Sequence, residues 1–277
     1  MEQILQICII VQLTVQQKSA EKKGRAAKYH SDYAMVEFYN VNKAYNEKCQ
    51  PLKNINLRVS KGEVLVICGP SGAGKSTLLR TINRLERIDS GEIIIDGKDL
   101  YDHKTNLTAL RAEIGMVFQH LNLYPHKTAL ENITLASRMV RGFSKKQAEE
   151  KAMILLEEVG LAHKRDAFPV QLSGGEQQRT AIARSLALGP KIMLFDEPTS
   201  SLDPELTNEV LGVILALAQE GMTMIIVTHE LGFAQKAATR IAFMDNGEIV
   251  ETGTPDKMLV NPEHPRTREF VSNILQV

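Results

Sequence analysis

Gly69-Pro70-Ser71-Gly72-Ala73-Gly74-Lys75-Ser76-Thr77 follows directly on the apolar run Val64 to Cys68. A strand that ends in glycines lets several backbone N–H groups converge on an anion. Lys75 then reaches the outer phosphates of a nucleotide, and Ser76 offers a hydroxyl to Mg²⁺. The helix after such a loop aims its positive end at the same phosphates. Leu78, Leu79, Ile82 and Leu85 have the spacing of one buried face, which predicts a helix from Lys75 to Glu86. Strand, loop and helix are all in place for nucleotide chemistry.

Two further groups have types and spacing suited to the same chemistry. Ile192-Met193-Leu194-Phe195 is an apolar strand ending in Asp196-Glu197. Open parallel sheets bind ligands at that carboxyl edge. Asp196 would hold Mg²⁺ through water, and Glu197 would polarise an attacking water as general base. For Asp-Glu alone a solvated acidic turn is the commoner reading. Downstream of a phosphate loop the balance reverses. Leu172-Ser173-Gly174-Gly175-Glu176-Gln177-Gln178-Arg179 opens a helix whose Ala181, Ile182 and Leu186 share a buried face. That helix start is either a second anion site or an ordinary N-cap.

The elements that must position these groups alternate along the chain. Short strands run from Met35 to Arg58 with Pro51 between two of them, and Glu92 to Ile95 and Gly115 to Phe118 read as further strands. Ser144 and Gln147 make a capping box, after which Ala148, Ala152, Leu155, Leu156 and Val159 form one apolar face ending at Gly160. Strand texture returns at Ile192 to Phe195, Met224 to Thr228 and Ile241 to Met244. A helical block over roughly 120–185 therefore interrupts an α/β core.

With 277 residues the chain is long enough to bury a substantial core. Lys plus Arg and Asp plus Glu are equal at 33 each, so no net field favours nucleic acid or an anionic membrane. Cys8, Cys49 and Cys68 are odd in number and lack metal-ligand spacing, which argues against a disulfide framework or a zinc site. A reducing compartment is expected, with Cys68 a small buried core residue. Ile4 to Val15 is apolar but short for a membrane span, and its basic residues follow it, unlike a secretory signal. Residues 1–34 are expected to be a disordered or dispensable extension, with Met35 an alternative start.

The combination of phosphate loop, Leu172-Ser173-Gly174-Gly175-Glu176 and Asp196-Glu197 resembles the nucleotide-binding subunit of an ABC transporter. The resemblance runs from Met35 to the C-terminus. It implies an α/β P-loop NTPase core of the ABC ATPase type with an inserted helical subdomain, forming one domain over 35–277. By position it implies that Tyr45 stacks on adenine and that Gly69 to Thr77 cradle the phosphates of ATP. It gives Gln119 contact with Mg²⁺ and water, and makes His229 the switch histidine on the γ-phosphate. Ser201-Leu202-Asp203 matches the D-loop, with Ser201 where alanine is usual. A half-buried strand tyrosine is the other reading of Tyr45. Two subunits facing head to tail would enclose each ATP between the phosphate loop of one and Ser173-Gly174-Gly175 of the other. Glu176 stands where amino-acid importers usually carry glutamine, and Thr180 where they carry valine.

Asn83-Arg84-Leu85-Glu86, Gly115 to His120 with Leu123-Tyr124-Pro125-His126, and His264-Pro265-Arg266-Thr267 resemble the polar amino-acid uptake branch. Lys104-Thr105-Asn106-Leu107 leans toward glutamate, aspartate or glutamine. The partners this implies are a second nucleotide-binding subunit, forming a homodimer, integral membrane permease subunits, and a periplasmic or lipid-anchored amino-acid-binding protein. The implied place is peripheral, on the cytoplasmic face of the cell membrane. An ABC ATPase of export or cell division shares the core and stays open as an alternative. A soluble ABC protein acting on DNA or ribosomes fits less well, because the chain shows one phosphate loop, one Ser-Gly-Gly motif and no heptad run.

Overall fold

The computed structural model describes residues 33–275. The apolar run Ile4 to Val15 and almost all of the expected extension lie outside the described residues. Ala34, counted with that extension in the sequence, already begins a strand, and Met35 is buried within it.

The chain builds two sheets. β1 (Ala34–Lys43), β2 (Leu52–Ser60), β4 (Ser90–Ile95) and β5 (Lys98–Asp99) form an antiparallel sheet in the order β2-β1-β4-β5. β3 (Val64–Cys68), β6 (Ile114–Val117), β7 (Ile192–Asp196), β8 (Thr223–Val227), β9 (Arg240–Asp245) and β10 (Glu248–Gly253) form the other, in the order β10-β9-β3-β8-β7-β6. Its pairings are parallel except for the β10 edge.

Side-chain chemistry explains the division. Every residue of β3, β7 and β8 is buried, as expected for strands covered on both faces. Leu52, Ile55, Leu57 and Val59 of β2 are buried while Asn54, Asn56 and Arg58 are exposed, so that sheet buries one face only. Successive residues of β3 point to opposite sides. Leu65 and Ile67 join a core with β1, β2 and the first helix, whereas Val64, Val66 and Cys68 join one with the later helices.

Helix α1 (Lys75–Ile82) follows the phosphate loop, and α2 (Leu107–Ala112) precedes β6. Three helices then make the interrupting block: α3 (Ala129–Arg141), α4 (Lys145–Glu158) and α5 (Gly174–Leu186). Each begins in a reciprocal capping box, Thr128 with Glu131, Ser144 with Gln147 and Ser173 with Glu176. The predicted apolar face of α4 is buried at all five positions, and the chain leaves it through Gly160 at φ 72°. Helices α6 (Pro204–Gln219), α7 (Leu231–Ala237), α8 (Pro255–Val260) and α9 (Pro265–Leu275) complete the fold.

The helix after the phosphate loop is shorter than its periodicity suggests. It stops at Ile82, Asn83 turns its side-chain oxygen back to the Leu85 N–H, and Arg84 adopts φ 55°. Arg111 donates to the carbonyls of both Asn83 and Arg84 and fixes the turn. Leu85 consequently lies 50% exposed and off the buried face.

Candidate functional site

Parallel pairing aligns the ends of four strands. Ile67 of β3 and Asp196 of β7 both pair with Val227 of β8, and Val117 of β6 pairs with Phe195. The segments that leave these strands therefore emerge along one carboxyl edge, where open α/β sheets take ligands. They carry Gly69 onward, Asp196-Glu197, His229 and Gln119.

Two glycines are required by space as well as by conformation. Gly69 has φ 147°, and a Cβ there would sit 1.9 Å from the Met244 carbonyl oxygen. Gly74 has φ 102°, and its Cβ would meet the Pro51 carbonyl oxygen at 2.0 Å. The loop is pressed against β9 and the start of β2, and only glycine allows that approach. Lys75 folds back to donate to the carbonyls of Gly69 at 2.8 Å and Pro70 at 2.9 Å. Burial holds its pKa below the usual lysine range, opposed by the charges of Glu197, Cys68 and Asp196. Cys68, at the end of β3, is buried as expected, and desolvation pushes its thiol up to about 12. It is a packing residue.

Asp196 is buried, and both of its oxygens are engaged. Ser76 Oγ donates to Oδ1 at 2.6 Å, and Arg80 Nη2 donates to Oδ2 at 3.0 Å. Next to it Glu197 adopts φ 48°, a left-handed conformation uncommon outside glycine, with its N–H donating to the Val227 carbonyl. Its Oε1 lies 3.2 Å from His229 Nε2. Tyr45 sits in a bend beyond β1, 52% exposed, with its hydroxyl 3.3 Å from Thr77 Oγ1. Tyr45 therefore lies in a bend and not in a strand. Lys43 lies over its ring at 5.4 Å. Gln119 is exposed two residues past the end of β6.

The structure thus gathers the phosphate loop with Asp196, Glu197, His229 and Tyr45. Ser173, Gly174, Gly175 and Asp203 form a second group. Gly174 and Gly175 approach Leu202 and Leu206, while Asp203 caps α6 by accepting from the Leu206 N–H at 3.0 Å. Among the described residues no hydrogen bond or ion pair joins this group to the phosphate loop or its carboxylates.

The ABC transporter family model matches residues 52–200, more than half of the chain. The chain belongs to the ABC transporter family. It is 56% identical over 241 residues to the glutamine transport ATP-binding protein GlnQ of Bacillus subtilis, covering 87% of this chain and 99% of that relative. Identity is 55% to the glutamate transport ATP-binding protein GluA of Corynebacterium glutamicum, with the same coverage of each. Among solved structures, the ATP-binding cassette MJ0796, a dimer in a post-hydrolysis state bound to ADP and Pi, is 38% identical with a TM-score of 0.73. That similarity covers 80% of this chain and 99% of that one.

An ABC transporter cassette hydrolyses ATP, and the P-loop NTPase core seen here is of that type. The donor set suits Mg²⁺. Ser76 and Asp196 offer hard oxygen atoms side by side at the phosphate loop, and Mg²⁺ is commonly held by one carboxylate with the rest of its shell from phosphates and water. Among the described residues there is no cluster of three His, Cys, Asp or Glu side chains able to hold a metal without such help.

Arg80 is the site residue that sequence reasoning missed. Its signal was present: it lies four residues after Ser76, on the same face of α1. What hid its role is that Asp196 is 116 positions away.

Glu176 accepts from the Ser173 N–H at 2.8 Å, and Lys164 pairs with it at 3.3 Å. An amide oxygen can take over the acceptor role in a capping box. Glu176→Gln should therefore keep ATP turnover within about fivefold of the parent, since at a partly exposed pair only about 0–1 kcal/mol is at stake. A drop beyond tenfold in steady-state ATPase would mean the carboxylate itself takes part.

Proposed function

We propose that the protein is the ATP-hydrolysing subunit that energises import of a polar amino acid, of the glutamate, aspartate or glutamine class. It acts from the cytoplasmic face of the cell membrane on a separate permease supplied by an amino-acid-binding protein. The observation that carries this reading is end-to-end similarity to glutamine and glutamate transport ATP-binding proteins in a chain whose hydrolytic carboxylate Glu197 is intact. Among the described residues no helix is long and apolar enough to cross a membrane, and in this reading a separate permease supplies the span.

In this reading two copies of the chain face head to tail. Tyr45 stacks on adenine, the N–H groups of Gly69 to Thr77 surround the phosphates, and Lys75 leaves its carbonyls to reach them. Ser76 and Asp196, with Gln119, would hold Mg²⁺, which when bound would supply positive charge to offset that of the phosphates. Glu197 accepts a proton from water as its oxygen attacks the γ-phosphorus, the bond to the β-phosphate oxygen breaks, and ADP and inorganic phosphate result. His229 orients Glu197 and reaches the γ-phosphate. Ser173, Gly174 and Gly175 of the partner close the other side, with Asp203 at the contact. Loss of the γ-phosphate removes the charge that joins the two copies, and the dimer opens.

Gentle affinity purification from native membranes tests the reading. Co-purification of a permease together with an amino-acid-binding protein is expected. Recovery of an export or division subunit, or of ribosomes without a membrane partner, overturns it.

A further inference from the structure

The helix α5 carries Ser173-Gly174-Gly175 at its start and two unusual tethers near its end. Arg184 Nη1 donates to the Asn122 carbonyl at 2.6 Å, and Nη2 donates to the Leu121 carbonyl at 3.0 Å. The guanidinium also lies 6.0 Å from the centre of the Tyr124 ring. The neighbouring Ser185 Oγ donates to the Met116 carbonyl at 2.9 Å. Gln119 stands between these anchor points, so the segment that bears it is held on both sides by one helix. Beyond it, Asn132 of α3 accepts from the Tyr124 N–H and donates to the Tyr124 carbonyl, which fixes where the segment ends.

Arg184 makes no ion pair with an acidic side chain among the described residues. Its partners are two carbonyl dipoles and a ring. Burial lowers its pKa, so the site works against the charge it holds. A partly buried cation without an anion is poor design for stability. A planar fork matched to two successive carbonyls is good design for fixing a loop's position.

We propose that Arg184 is a positioning residue that makes α5 a rigid link between the two ATP sites of the dimer. This rests on the proposed roles of Gln119 and Ser173. Ser173 engages the nucleotide held by the partner copy, whereas Gln119 serves the nucleotide of its own. Arg184 lies eleven positions after Ser173, about 16 Å along the helix. Movement of the helix start against the partner's ATP is thereby passed to the loop that places Gln119. The link gives the two sites a shared state, which is cooperativity.

The chain contains no tryptophan, so Tyr124→Trp adds a single tryptophan, excited selectively at the red edge of protein absorption, inside the tethered segment while keeping a ring beneath Arg184. In a Glu197→Gln background, ATP should shift the emission of this reporter. Adding Arg184→Lys should abolish the shift with ATP still bound, because one ammonium cannot copy the fork. In the chain with Glu197 intact, Arg184→Lys should bring the Hill coefficient of ATPase from above 1 to about 1 and lower kcat more than it changes KM.

A purely structural role would lower the melting temperature and leave the Hill coefficient and emission shift in place, and that result overturns the proposal. So does a reporter that stays silent on ATP binding with Arg184 intact. Gln119→Ala and Ser173→Arg test the underlying roles separately. If both leave ATPase unchanged, the reading of the site has failed; if both impair it while Arg184→Lys keeps cooperativity, only the link has failed.

Discussion

Glu197→Gln is expected to bind ATP with near-parental affinity and to hydrolyse it about 10²–10⁴-fold more slowly, the range for removing a positioned general base. The substitution keeps shape and takes away the negative charge, and with it the ability to accept a proton. Nothing else in the site can replace that function. Asp196 is buried with both oxygens committed to Ser76 and Arg80, and His229 Nε2 is already engaged with Glu197 Oε1 at 3.2 Å. The backbone also points to a dedicated role. Glu197 holds φ 48°, a conformation costing about 1–2 kcal/mol for a residue with a Cβ, fixed by its N–H bond to Val227. The carboxylate stands near enough to the phosphate loop for its charge to act on Lys75. Single-turnover hydrolysis with saturating ATP gives the rate, and size-exclusion chromatography with ATP should show the slowed variant accumulating as a dimer. A rate within tenfold of the parent would assign proton acceptance to another group.

What could be read from the sequence was what local pattern determines. Val64 to Cys68, Ile192 to Phe195 and Met224 to Val227 are apolar without alternation because both faces of a parallel sheet are covered, and that pattern identifies them directly. Ser144 with Gln147 and the five apolar positions of α4 are equally local. The phosphate loop could be read because its glycines answer a steric demand, visible here as the carbonyls of Met244 and Pro51 beside Gly69 and Gly74.

Features set by distant partners were not visible. Leu85 fits the helical period, yet Arg111 captures the carbonyls of Asn83 and Arg84 and the helix ends first. The division into two sheets depends on β1 pairing with β2 on one side and β4 on the other, a matter of register that no single strand announces. Arg80 and Arg184 look like ordinary helix surface cations until Asp196 and the carbonyls of Leu121 and Asn122 come into view. For the candidate site, residue types and order along the chain nominated the phosphate loop, Asp196, Glu197 and Ser173 to Gly175, and the family resemblance added Tyr45, Gln119, His229 and Asp203. Their division into one group around the phosphate loop and another around the start of α5 needed the fold.

Lys75→Met should weaken ATP binding by roughly tenfold to more than a hundredfold, taking about 1.5–3 kcal/mol for a hydrogen bond to a charged group and 1.4 kcal/mol per factor of ten. The argument is one of charge balance within the site. Asp196 and Glu197 face the phosphate loop, and the triphosphate brings more negative charge to the same edge. Arg80 is the other cation nearby, and its guanidinium is engaged with Asp196. Lys75 is therefore the protein charge free to move onto the phosphates, and the structure shows what it gives up in doing so: bonds to Gly69 and Pro70 at 2.8 and 2.9 Å. Methionine keeps the buried aliphatic stem and removes the ammonium, so folding should suffer little, with a melting temperature only a few degrees lower for a loss of about 1 kcal/mol. Calorimetric titration of ATP with Mg²⁺, read beside the melting curve, separates the two effects. If affinity stays within twofold of the parent, the backbone N–H groups of the loop suffice to hold the phosphates; lost affinity with an unchanged fold places the ammonium on them.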